Sequence, residues 1–243
     1  KIQALFFKLC YWVADSCIIV SQSDLKNIFK VSSLKKKLSY SEHVINTKLF
    51  IADVPKEKIF TSIVWMGDEG NVVRKGVDKA LQIFAELKKI PEFVDYRFVI
   101  IGRKGEGEVL VRSIIDKYNL KGSVELKGEV SEEDKINLLK QSKYYFQLSL
   151  YEGFGLAALE ALCANNIIIH SGKGGLANPI YKEQLLFDID NDFDSELLKL
   201  VNKLACFTPI TSYDNLLEYY DIQRRKDDFE AIIVNGKSNY KLK

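Results

Sequence analysis

Two glutamates, Glu152 and Glu160, flank a glycine-marked turn in the stretch SLYEGFGLAALE at residues 149–160. Upstream, KYYFQLS at 143–149 has the aromatic content of a buried strand; downstream, NNIII at 165–169 reads as a second one. Strand, glycine turn, helix and strand in that order make a βαβ unit. The N-terminus of its helix leaves free N–H groups at the mouth of the sheet, where anions bind. Glycines gather at predicted strand ends: Gly67, Gly70, Gly102, Gly128, Gly153, Gly155 and the cluster Gly172, Gly174, Gly175. Glycine there lets backbone approach a ligand, because no Cβ intervenes. One such glycine is usually only a turn; several on one rim point to a phosphate or sugar pocket.

The elements that must hold this rim follow from periodicity. A helix over 1–15, a strand over 17–21 and a helix over 23–37 form one fragment. Residues 38–60 lack clear periodicity and read as a connection, with an ambiguous apolar patch at KLFIADV. A regular series follows. SIVWMG (62–67) is a strand, and 75–90 an amphipathic helix with Val77, Ala80, Leu81, Phe84 and Leu87 at helical spacing. Strands at 97–102 and 123–128 alternate with a helix at 109–120 and one opened by Ser131 as N-cap. The glutamate unit comes next, then a strand at 185–189 and a helix at 194–206. Such alternation predicts a doubly wound parallel α/β sheet with helices on both faces, its ligands bound beyond the C-terminal strand ends. The expected divisions are 1–60, one fragment with its connection; 61–210, the parallel sheet; and 211–243, a polar helix over 212–231 with a tail.

Composition narrows the function classes. The chain has 243 residues, 47% hydrophobic and 28% charged, with 14 Gly and 4 Pro, as soluble globular proteins do. A net charge of +2 argues against a dedicated nucleic-acid binder. Cys10, Cys17, Cys163 and Cys206 are scattered without CxxC or Cys/His spacing, which suggests a reducing compartment and no structural zinc. The first residues, KIQALFFKLCYWVADSCIIV, are broken by Lys8 and Asp15, too soon for a membrane-spanning helix of about 20 apolar residues. They read as a buried helix and a buried strand. The run Lys35-Lys36-Lys37 could touch anionic lipid, but three lysines at a helix end are more commonly solvated. The chain opens with Lys1 rather than Met, which reads as part of something longer.

Weaker motifs yield to simpler readings. GRKGEG (102–107) has the spacing G-x-x-G-x-G, not that of a dinucleotide fingerprint, and SGKGG (171–175) lacks the leading glycine and the Ser/Thr of a P-loop. His43 and His170 have no partner at metal or triad spacing and read as structural, His170 having the better position to line a pocket.

SLYEGFGLAALEAL resembles the E-x7-E signature of retaining glycosyltransferases of the two-Rossmann-domain (GT-B) fold, family 4, also called glycosyl transferases group 1. Three further segments match in order: Lys75-Gly76-Val77-Asp78, like the family's KG-(hydrophobic)-D; FVIIG at 98–102; and VELKGEVSEED at 124–134. After the signature, HSGKGGLANPI resembles the S-x-x-GG-x-x-E loop. The resemblance covers about residues 60–206, the C-terminal donor-binding domain. Residues before 60 resemble the end of the N-terminal acceptor domain, whose remainder, with a histidine placed near the donor sugar, is missing.

The resemblance implies roles. Glu152 would accept hydrogen bonds from the transferred sugar, and Glu160 would hold the ribose diol; an ionised carboxylate only accepts. The N–H groups of Gly155 and Leu156, in the Gly153-Phe154-Gly155 turn, would receive the diphosphate. Lys75 would neutralise the leaving diphosphate where other transferases use a metal. Backbone near Val130 would contact the base, and Gly67 would line the phosphate side. No metal or other cofactor is expected. The implied activity is that of a retaining hexosyltransferase, incomplete in this stretch. Its partners would be a nucleotide-diphosphate sugar and a glycan or lipid-linked acceptor, with no nucleic acid, in the cytoplasm and in peripheral contact with the inner membrane face.

Departures from the pattern keep rivals open. Asp68 stands where the family has an arginine after the first strand's glycine, so one phosphate cation is absent unless Arg74 or Arg103 substitutes. Asn165 replaces a glycine but tolerates a left-handed cap; Ile167 replaces a proline, and Asn178 the distal glutamate of the GG loop. A non-catalytic binding or interaction module, a nucleotide-sugar epimerase and a glycogen-synthase-like transferase are the alternatives.

Overall fold

The computed structural model describes residues 2–21, 37–51, 54–207 and 218–235. Its strands are β1 (Cys17–Ile19), β2 (Leu38–Tyr40), β3 (Glu57–Ile63), β4 (Arg97–Ile101), β5 (Val124–Gly128), β6 (Ser142–Gln147), β7 (Ile167–His170) and β8 (Leu185–Leu186). Its main helices are α1 (Ile2–Val13), α2 (Glu69–Arg74), α3 (Val77–Leu87), α4 (Gly107–Lys117), α5 (Glu132–Gln141), α6 (Leu156–Cys163), α7 (Phe193–Cys206) and α8 (Ile222–Asn235). β1 and β2 pair in parallel as a small sheet. The other six strands form one sheet in the order β5-β4-β3-β6-β7-β8, and every pairing is parallel. The order reverses between β3 and β6, so the crevice for a ligand opens at the C-terminal ends of those two strands. This is the Rossmann-like sheet of a GT-B C-terminal domain, with a smaller N-terminal sheet beside it.

Period-two alternation along β6 sorts its side chains between the two faces. Tyr144 and Phe146 go to one core, where Phe60 of β3 stacks on them at 4.6 and 5.0 Å between ring centroids. Phe84 of α3, Val111 of α4 and Leu200 of α7 close that side. Tyr145 goes to the other, among Ala158, Leu159 and Leu162 of α6 and Leu139 of α5. Helices therefore cover both faces.

Several expected elements sit elsewhere. The strand expected at 62–67 runs instead from Glu57 to Ile63, because Ile59, Phe60, Thr61 and Ser62 are the residues buried between β4 and β6. The loop expected before Lys75 contains α2, which Asp68 caps by accepting the Asn71 N–H at 2.6 Å. The helix expected at 23–37 lies outside the described residues except for Lys37, as does the first part of the one at 212–231, whose described part is broken by a turn before Ile222. α1 is not buried: Leu5, Phe6, Leu9, Trp12 and Val13 are exposed, since a two-stranded sheet is too small to cover a helix face. The turn after α6 forms as expected, with Asn165 at φ 62°. The Asn166 N–H reaches the Ala161 carbonyl at 2.9 Å and the Asn165 N–H that of Leu162 at 2.9 Å, a Schellman closure.

A lysine ties two helix ends to the start of β3. Lys56 Nζ donates to the carbonyls of Lys140 at 2.9 Å, Ala164 at 2.5 Å and Leu139 at 3.4 Å. These belong to the C-termini of α5 and α6, where carbonyls lack helical partners and a cation suits the dipole. Lys56→Met is expected to lower stability by about 2 kcal/mol, since hydrogen bonds to a charged donor are lost. Urea denaturation measures it; an unchanged midpoint would mean that water satisfies those carbonyls as well.

Candidate functional site

Lys75 is the C-cap of α2, and its N–H bonds back to the Asn71 carbonyl. The next residue, Gly76, is left-handed at φ 70°, and a Cβ there would lie 2.0 Å from the Leu148 carbonyl oxygen. The Leu150 N–H donates to the Arg74 carbonyl at 2.9 Å. Backbone contact thus fixes Lys75 against the end of β6, and its ammonium meets Glu152 Oε2 at 2.7 Å.

Two more donors reach the same oxygen: Ser149 Oγ at 3.1 Å and Gln147 Nε2 at 3.2 Å. Gln147 is itself held. Tyr145 Oη donates to Gln147 Oε1 at 3.2 Å and accepts the Ile63 N–H at 3.2 Å, so the relay starts in β3. Among the described residues no protein donor is bonded to Glu152 Oε1, which leaves that oxygen to accept from a ligand hydroxyl.

The turn that follows enters α6 through Gly155 at φ 90°, with no side-chain cap. The first-turn N–H groups of α6 are therefore open, with the positive end of the helix behind them. The GG loop braces the turn from below. The Gly175 N–H donates to the Glu152 carbonyl at 2.6 Å, and a Cβ on Gly174 would meet that carbonyl at 2.1 Å. Asn178, in the same loop, donates through Nδ2 to Glu42 Oε1 at 2.8 Å, and Tyr40 Oη bonds to the same oxygen. Arg225 of α8 donates to the Ser41 carbonyl at 2.9 Å, and Ser41 Oγ to Asp228 at 2.8 Å. The last described helix thereby returns to the N-terminal segment.

A cavity of about 280 Å³ lies at this switch point, lined by Lys75, Glu152, Phe154, Gly155 and Leu156 together with His43, Ile63, Gln147 and Ala157. Five residues expected from the sequence thus converge. Gly67, Gly153, Val130 and Glu160 do not line the cavity: Gly67 packs under Trp65, and Val130 against the Ile59 and Val99 cluster. Glu160 pairs with Lys135 at 2.9 Å through Oε1; burial lifts its carboxyl above the usual range, and Lys135 pulls against that. Arg74 is bonded to Asn71 and Arg103 is exposed; neither lines the cavity, so neither supplies there the cation that Asp68 displaced.

Both histidines read as structural from the sequence, with His170 the better placed to line a pocket; it is His43 that lines the cavity. His170 is buried, takes the Gly172 N–H on Nδ1 at 3.2 Å, and burial pushes its pKa down to about 4. It is the structural one. His43 lines the cavity, its ring edge-on to Phe154 at 5.3 Å. Nothing in the aperiodic segment around His43 marked it. Gln147 did leave a signal, a lone amide in an aromatic strand on the same face as Tyr145.

Residues 70–205, more than half of the chain, match the family Glycosyl transferases group 1, and the chain belongs to that family. It is 32% identical over 163 residues to the GDP-mannose:cellobiosyl-diphosphopolyprenol alpha-mannosyltransferase of Xanthomonas oryzae, covering 58% of this chain and 40% of that protein. It is 25% identical over 215 residues to a subunit of the phosphatidylinositol N-acetylglucosaminyltransferase of Arabidopsis thaliana, covering 86% and 46%. The chain thus spans less than half the length of either relative. In fold it resembles Anabaena HepE, solved with UDP and glucose, at TM-score 0.75 and 11% identity over 96% of this chain and 66% of that one. It also resembles a sucrose-phosphate synthase of Thermosynechococcus elongatus, at TM-score 0.64 and 24% identity, covering 79% and 49%.

Proposed function

We propose that this chain supplies the donor side of a glycosyltransferase that moves a sugar from a nucleotide-diphosphate sugar, without a metal ion and with the anomeric configuration retained. The carrying observation is the three-donor clamp on Glu152 Oε2, with Lys75 in it, at the open N-terminus of α6. Glu152 Oε1 accepts from the sugar; Lys75 and the α6 N–H groups take the charge that develops on the diphosphate as the bond from the anomeric carbon to its oxygen breaks. The acceptor hydroxyl oxygen forms the new bond to the anomeric carbon on the face from which the diphosphate leaves, and its proton passes to the departing phosphate oxygen. Glu160, whose Oε2 is bonded to no protein donor among the described residues, takes the ribose, and backbone near Val130 contacts the base.

The acceptor is held by a second domain. The names of both relatives specify acceptors built on lipids, diphosphopolyprenol and phosphatidylinositol. A lipid-linked acceptor at the cytoplasmic membrane face is the corresponding expectation for this chain.

A second reading, a binding module without catalysis, draws on Asp68 and the absence of any arginine among the described lining residues. Calorimetry with GDP-mannose and UDP-N-acetylglucosamine, with and without EDTA, separates the two. Binding of one donor that EDTA leaves unchanged is expected, together with transfer once the N-terminal half of the protein is added. Metal-dependent binding would assign another transferase class, and no binding at all would favour the module. Glu160→Ala should weaken the plain nucleotide diphosphate as much as the intact donor, about tenfold for one charge-assisted contact.

A further inference from the structure

The charges that line the cavity are Lys75 and Glu152, bonded to each other at 2.7 Å. They sum to zero, whereas the diphosphate bridge of a sugar nucleotide brings two negative charges. The helix N-terminus adds only about half a positive charge. Among the described lining residues there is no second fixed cation, and the position where the resemblance would put an arginine holds Asp68, turned to the cap of α2. Among the described residues, His43 is the one other group lining the cavity that can become positive near neutral pH.

We propose that His43 is a donor-site residue whose imidazole takes up a proton as the diphosphate arrives and becomes the second cation of the site. The inference rests on the reading of this cavity as the donor pocket. The ring is fixed for the purpose. Phe154 backs its edge at 5.3 Å, and the preceding residue, Glu42, is anchored by Tyr40 and Asn178. The charged groups around it are Arg225 from α8, Lys75 and Glu152 across the cavity, and Glu42 in its own segment. Burial first, and then the Arg225 guanidinium, hold the free imidazole below its ordinary value, so the empty site keeps it neutral at pH 7. Two phosphate charges reverse that balance, because an opposite charge at contact favours the protonated form. The proton comes from solvent and returns there when the nucleotide leaves.

The sign follows from linkage. A group whose pKa rises on binding makes binding tighter as pH falls through the bound value. Affinity for the intact sugar nucleotide should rise severalfold from about pH 8 to pH 6, the window in which an imidazole takes up its proton. An intact sugar nucleotide is the probe because its esterified phosphates do not titrate in this range, unlike the terminal phosphate of a nucleotide diphosphate.

Calorimetry with GDP-mannose and UDP-N-acetylglucosamine, in buffers of different ionisation enthalpy, counts the protons taken up. His43→Asn should abolish both the uptake and the pH dependence. Proton NMR gives a second readout on the unaltered 243-residue chain, whose two histidines are His43 and His170. The His43 resonance should titrate below its ordinary range when free and above it when the donor is bound. Donor binding with no proton uptake, an unmoved His43 titration, or a pH dependence that survives His43→Asn would overturn the inference and leave the proposed function standing. Failure of both donors to bind at any pH would overturn both.

Discussion

Lys75→Ala is expected to weaken binding of a nucleotide-diphosphate sugar by about 2–3 kcal/mol, roughly thirty- to 150-fold, while a free nucleoside binds as before. Two effects act together. The ammonium that would pair with the diphosphate is gone, and Glu152, which shared that ammonium at 2.7 Å, keeps its negative charge with only Gln147 and Ser149 to hold it. The second effect makes Lys75→Ala worse than loss of a simple contact, because an unneutralised carboxylate then faces an incoming dianion. It also predicts a partial rescue: Lys75→Ala with Glu152→Gln should bind the nucleotide diphosphate more tightly than Lys75→Ala alone. Stability should change little, since water reaches both side chains, which are 23% and 15% exposed. Calorimetry on the two variants, with nucleoside, nucleotide diphosphate and intact donor, decides it. Equal losses for nucleoside and diphosphate would remove Lys75 from the phosphate site.

How far this site could be read from the residues depended on whether each one's role is local. Glu152, Phe154, Gly155 and Leu156 are four of a run of five residues, so one strand-turn-helix pattern placed them together. Lys75 is far from them in sequence, and only the resemblance joined it to Glu152; the join is made by Gly76 lying against Leu148. His43 was missed because its segment has no periodicity and is held by side-chain bonds to Asn178 and by backbone carbonyls bonded to Arg225, contacts that no local pattern encodes. β3 begins five residues before the strand expected at 62–67 for a related reason. Thr61 and Ser62 are polar but buried, satisfied by Ser142 Oγ and the Phe146 carbonyl, so polarity at this point of the sequence does not mark the end of the strand.

The glycine of the Lys75-Gly76 pair should be the most sensitive position in the site. Gly76→Ala is expected to destabilise the fold by about 3–5 kcal/mol, within reach of the whole stability of a marginal domain. Left-handed backbone accounts for about 1–2 kcal/mol of that for a residue carrying a Cβ. The remainder is steric: the Cβ would stand 2.0 Å from the Leu148 carbonyl oxygen and 2.5 Å from its carbon, and backbone cannot rotate away as a side chain can. Two other glycines separate these parts. At Gly122, φ is 82° but nothing lies within 4 Å of the added Cβ, so Gly122→Ala should show the conformational part alone. Gly153 is neither left-handed nor crowded, and Gly153→Ala should leave stability within about 0.5 kcal/mol of the parent. Any Gly76→Ala protein that folds must move β6 away from α2, which carries Lys75 off Glu152. Its donor affinity should therefore fall further than its folded fraction does. Urea denaturation of the three variants, followed by calorimetry on the folded ones, tests both parts. If Gly76→Ala lost no more stability than Gly122→Ala, the contact with Leu148 would not be what positions Lys75.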